Sequence, residues 1–142
     1  MGMSSAGVRT TNLTINQASA ELRTTAAVRA KVLELSLIQA TGTAQSLGLG
    51  RPQAIGVTPG TSVTPTRDEP GDPASVCSLV TTWGTSPTVP LVFHRRWNSA
   101  ATIGVGVVWT FPRGLMVPVS SSIVIWNITT AQAVDLNIAY DE

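Results

Sequence analysis

Titratable, cationic and aromatic side chains meet at one place in this chain, the run His94, Arg95, Arg96 and Trp97. A base, two fixed charges and a large ring would suit proton transfer or anion recognition if they converged. On an extended strand they diverge, His94 and Arg96 to one face and Arg95 and Trp97 to the other. A histidine base also needs a nucleophile and a third, orienting group, and the local sequence supplies neither. The run therefore reads as a strand whose polar face meets solvent or a neighbouring subunit. In the functional version of that reading, Arg95 or Arg96 forks onto a carboxylate of a partner, with Trp97 beside them.

The other chemical groups are sparser. Asp68, Glu69 and Asp72 cluster in "TRDEPGDP", but without the alternating ligands and distal bidentate Glu of a calcium loop they describe a solvated turn. Glycosidase-like pairs drawn from these and Glu34 or Asp135 have no spacing that sequence can fix. Cys77, in "SVCSLV", is the single cysteine, and it reads as a small buried hydrophobe. With one Cys and one His, a Cys/His zinc site cannot be built within the chain. The pairs Gly48/Gly50 and Gly104/Gly106 lack the third glycine and opening helix of a dinucleotide site, so bulges or close backbone approach account for them. In "FPRGL", Arg113 sits between Pro and Gly at an expected turn between two strands, a tip able to touch a partner. Trp83, Trp97, Trp109 and Trp126 are expected as core or interface fillers, with a sugar platform as the alternative. No nucleophile elbow, metal motif or phosphate loop appears. The chain is read as a non-enzyme without metal or cofactor.

Composition points to assembly. Of 142 residues 12% are charged, against about 25% in ordinary globular proteins, and Lys31 is the single lysine. A net charge of +1 on so uncharged a chain implies a surface partly covered by other subunits or a partner. The eight arginines are scattered, which argues against nucleic acid. No apolar run of about 18 residues spans a membrane, and Met1 to Thr11 lacks the order of a signal peptide. The expected product is soluble and made in the cytoplasm.

The elements that must position these groups are strands. "KVLELSLIQA" and "VDLNIAYDE" alternate with period two, the latter placing Val134, Leu136, Ile138 and Tyr140 on one face. "ASVCSLVTTW", "VPLVFHRRW", "IGVGVVWTF", "GLMVPV" and "SSIVIWNIT" are β-branched or aromatic runs bounded by Pro, Gly or Ser. A Gly, Pro and Thr excursion from Thr41 to Pro73 holds one or two more. The expectation is an all-β antiparallel sandwich of about seven to nine strands over residues 30–142. Residues 1–29 are expected to form an extended arm, with a short helix within Asn16 to Ala30.

The phrases "RAKVLELSLIQATGTAQSLGLGR", "TSVTPTRDEPGDPASVCSLVTTWGTSPTVP", "WTFPRGLMVPVSSSIVIWNI" and the terminal "AYDE" together resemble small virion proteins of tailed bacteriophages. The resemblance covers Arg29 to Glu142. It implies a jelly roll, a homotrimer on the outer head surface as a decoration or cement protein, and the major capsid protein or another virion protein as partner. A tail, neck or fibre position is the structural alternative, and a carbohydrate-binding module using Trp83 or Trp97 is the alternative of another class. The arm lies outside the resemblance and is read as a clamp on the shell, with Val8, Leu13 and Ile15 as apolar anchors.

Overall fold

The structure, a computed structural model, describes residues 2–57, 60–130 and 132–142. Eight major strands carry the architecture: β1 (Met3–Arg9), β2 (Ala18–Arg23), β3 (Ala30–Gln39), β4 (Ser46–Pro52), β8 (Pro90–Asn98), β9 (Gly106–Val117), β10 (Ser122–Thr129) and β11 (Val134–Asp141). Three minor ones, β5 (Ser62–Val63), β6 (Thr66–Arg67) and β7 (Ser78–Val80), lie in the excursion between β4 and β8. The described residues contain no helix. One sheet runs β6-β1-β11-β3-β9 and the other β5-β7-β2-β10-β4-β8. Among the major strands, the first pairs with the last and the second with the next to last, the nested order of a jelly roll. The expected antiparallel sandwich is formed, with more strands than expected.

Burial explains each strand's pattern. On β11, Val134, Leu136, Ile138 and Tyr140 are all buried, and the alternate residues face outward. On β3 the alternation slips. Ala30 and Val32 are buried, then Leu35 and Leu37, because Leu33 is an extra residue opposite β11. A bulge of this kind reverses the phase of everything after it. Strand β10 shows no alternation, with Ser122 to Asn127 buried throughout. Its Ile123 and Ile125 enter the main core, while Val124 and Trp126 join Ala18 in a second, smaller core on the outside of that sheet. The excursion covers that outer face, so β10 is wrapped on both sides.

Three expectations are corrected. Residues 1–29 are not an arm. Strand β1 pairs with β11 from Met3 opposite Asp141 to Arg9 opposite Asp135, and β2 lies between β7 and β10. The short helix within Asn16 to Ala30 is likewise replaced by β2. Ala18, Ala20 and Leu22 are buried there, and small side chains fit a strand covered on both faces, so packing overrides the helical preference of alanine. Nor is "FPRGL" a turn between strands. It is a wide bulge within β9, the pairing stepping from Thr110 to Leu115 while β3 advances from Glu34 to Val32. Gly114, at φ 70°, turns the bulge, and a Cβ there would lie 2.2 Å from the Lys31 stem.

Candidate functional site

Strands β8 and β9 are the edges of the two sheets on the same flank of the sandwich, and most of the singled-out residues meet there. A bulge at His94 sets their directions: Arg95 pairs with Leu49, but Phe93 pairs with Gly50. Arg95 and Trp97 keep a common face as expected. Arg95 lies over the Phe111 ring, 5.3 Å from its centroid, and Trp97 packs against the main core. Arg96, three residues from Phe93, lies 5.8 Å from that ring's centroid on the outer face. Gly48 permits this, since a Cβ there would stand 2.5 Å from the Phe93 ring. Close approach, not a phosphate loop, accounts for that glycine.

His94 turns to Arg51, a residue that sequence reasoning missed. Arg51 Nη1 lies 2.9 Å from His94 Nε2, and its Nη2 donates to the Met116 carbonyl at 2.6 Å. A guanidinium only donates, so Nε2 of His94 is the acceptor and its ring is neutral with the proton on Nδ1. Burial, then the charges of Arg51 and Arg95, hold the His94 pKa below its ordinary value. Arg51 thus fastens β4 and β8 of one sheet to β9 of the other. The clasp supplies no nucleophile and serves to close the end of the core.

Outside this clasp the flank exposes apolar side chains beside its arginines. Leu91 and Val92 are 82% and 72% exposed and border a depression of about 290 Å³ with Arg51, Pro52, Gln53 and His94. Val108 and Met116 on β9 are also exposed. Arg113 stands exposed on the bulge of β9.

Comparison with protein-family models, curated proteins and solved structures gives no match.

The remaining sequence candidates fall elsewhere. Val8 is half-buried against the core on β1, three strands from β9. Leu13 and Ile15 are about half exposed in the loop between β1 and β2. Asn127 holds that loop, donating through Nδ2 to the carbonyls of Asn12 and Thr14 at 3.1 Å each. Trp83 borders a polar cleft of about 380 Å³ with Thr11, Asn12, Gln17, Thr82 and Ser86.

Two buried polar knots are structural. Glu21, fully buried, accepts hydrogen bonds from Arg23 at 3.0 Å, Trp83 Nε1 at 2.6 Å, Ser122 at 2.6 Å and the Gly56 N–H at 3.2 Å. Its oxygens are saturated, so it pins the excursion to β2 and β10. At the opposite flank, Arg67 donates to Glu142 at 2.8 Å and to Ser4 at 3.0 Å, while Glu142 accepts from Ser75 and the Val76 N–H at 3.1 Å. Burial works to raise the Glu142 pKa, but hydrogen bonds from Cys77, Val76 and Ser75 and the charge of Arg67 leave it below its ordinary value. Burial and Glu142 push Cys77 up to about 12, so its thiol stays protonated and unreactive at neutral pH. No three metal-ligating side chains come together among the described residues.

Proposed function

We propose that this chain is a structural protein of a tailed-phage virion that assembles as a homotrimer on the outer head surface. There it contacts the major capsid protein and stabilises the shell as a decoration or cement subunit. The observation that carries this reading is the open β8–β9 flank: two unpaired strand edges bearing Leu91 and Val92 almost wholly in solvent. Edges of this kind are templates for association unless something covers them. The low charge and the resemblance of the segments to small virion proteins support the same reading.

Because the N-terminal segment is part of the jelly roll, shell contact is assigned to the fixed loop carrying Leu13 and Ile15 instead of to an arm. Stabilisation is by linkage: a subunit that binds the closed shell, but not its dissociated protein, shifts the equilibrium toward the shell. The test is cosedimentation of the purified full-length chain with undecorated shells, with isolated tails as the second arm. Binding to shells and a raised shell-disruption temperature are expected. Binding to tails alone, or to neither, overturns the assignment.

A second reading, a carbohydrate-binding module, is favoured by one observation. The buried hydroxyl of Ser86 lacks a hydrogen-bond partner and borders the polar cleft beside Trp83, where a sugar hydroxyl would fit. Quenching of tryptophan fluorescence by a glycan, lost in Trp83→Ala, would select this reading over the first.

A further inference from the structure

Most of the charges that the fold leaves unpaired are segregated across the sandwich. Of nine cationic side chains, Arg9, Arg23 and Arg67 pair with Asp135, Glu21 and Glu142. The six without a salt-bridge partner among the described residues are Arg29, Lys31, Arg51, Arg95, Arg96 and Arg113. All lie on β8 or β9, on β3 or β4 directly beside them, or just before β3. Of the five carboxylates outside ion pairs, Asp68, Glu69 and Asp72 sit together in the turn after β6, the opposite edge of the five-stranded sheet, while Asp141 lies on the central β11 and Glu34 on β3 is the single one among the cations. Four inter-strand steps of about 4.8 Å put β6 roughly 19 Å from β9. The subunit therefore has a basic flank and an acidic flank facing opposite ways.

Both flanks also expose apolar side chains. Leu91, Val92 and Met116 stand out on the basic side, and Met3, Val63 and Val76 on the acidic side. A standard interface takes about 800 Å² from each partner. Two such flanks would use roughly a quarter of the 6848 Å² surface, so the molecule has room for one contact on each side.

We infer that copies of this chain associate head to tail, the basic β8–β9 flank of one subunit seated on the acidic turn after β6 of the next. A contact that joins two different surfaces is heterologous, and repeated around a rotation axis it closes into a ring. A self-complementary contact of β8–β9 with itself would instead bring Arg95, Arg96 and Arg113 against their own copies, and like charges at close range oppose that arrangement. The inference rests on the self-assembly in the proposed function and adds the surfaces that make it; it does not depend on the shell.

The test is light scattering behind size exclusion on the full-length protein over a concentration series, at low and high salt. Three variants accompany it: Arg96→Glu/Arg113→Glu, Asp68→Lys/Glu69→Lys, and all four changes together. These positions are exposed and outside the core, and an unchanged circular dichroism spectrum and melting temperature certify the fold. Each pair alone is expected to weaken association about tenfold or more, from lost pairs and new repulsion. The fourfold variant, with both flanks reversed, is expected to assemble as the unaltered protein does, and salt to weaken all assembly. If the acidic-turn pair leaves association unchanged while the basic-flank pair abolishes it, the flank docks on some other surface and the inference is overturned, although self-assembly stands. A protein that is monomeric at every concentration but still cosediments with shells overturns the inference and the homotrimer, and leaves the shell contact standing. One that is monomeric and ignores shells overturns the proposed function too.

Discussion

At the scale of single residues, the buried carboxylate of Glu21 is the most consequential polar group. Four donors from β2, β10 and the excursion converge on it, so its removal strands the indole N–H of Trp83 and the charge of Arg23. Glu21→Ala is expected to cost about 3–5 kcal/mol, the range for breaking a buried ion pair on one side, read as a fall in denaturation midpoint. His94 is sensitive to pH. Its folded pKa lies below the unfolded value of 6.5, so the unfolded chain takes up the proton more readily and the clasp's contribution is complete above that value. Stability is expected to decline as pH falls below about 6.5 and through the folded pKa. His94→Gln can still accept from Arg51 without titrating, and melting curves between neutral and mildly acid pH should lose this slope in the variant. The Glu142 pKa is also depressed, below 4.5, so its contribution is present above that value and disappears at more acid pH. Little of this was legible in the sequence. Glu21 and Trp83 are 62 positions apart and Arg67 and Glu142 are 75, and such pairs have no local signature. The run from His94 to Trp97 was legible as a strand with an exposed polar face, but the bulge that sends His94 to Arg51 was not.

At the scale of elements, the jelly roll needs its first two strands. Removing residues before Ala30 would expose β11 along one edge and β7 and β10 along β2's place, uncovering Leu79 and Ile123 of the main core. The truncated chain is expected to fail to fold as a soluble subunit, observed as loss of dispersed amide signals in an NMR spectrum. A folded truncation would contradict the pairing of β1 and β2. Gly48→Val is expected to destabilise by about 1–3 kcal/mol, a typical overpacking cost, since its Cβ would enter the Phe93 ring. Sequence legibility follows burial. Strand β11, covered on one face, announces itself by alternation, and β10, covered on both, by an apolar run. Strand β1 hides because it is built from Ser4, Ser5, Ala6 and Gly7, which pair through their backbone without broad apolar burial. Strand β2 hides because alanines fit the gap between core and excursion and read equally well as a helix.

At the scale of the whole molecule, the sandwich presents three separable surfaces: a basic apolar flank, an acidic flank, and the loop with Leu13 and Ile15 at the β1–β2 connection. In the proposed assembly, contact between copies uses the first two, which leaves the loop for the shell. Leu13 and Ile15 are held out of the core by a loop that Asn127 fixes from below, so losing their side chains should leave the subunit intact. Leu13→Asp/Ile15→Asp is therefore expected to retain the oligomeric mass and melting temperature of the unaltered protein while no longer cosedimenting with shells. Linkage adds a quantitative signature. Shell stability should rise with free subunit concentration, by about 2.7 kcal/mol per site once that concentration is a hundredfold above the dissociation constant. Calorimetry of shells across a subunit titration measures this directly. A disruption temperature that climbs with the unaltered protein and stays flat with the double variant would assign the loop to the shell. A climb of equal size with both would move the contact to another surface of the sandwich.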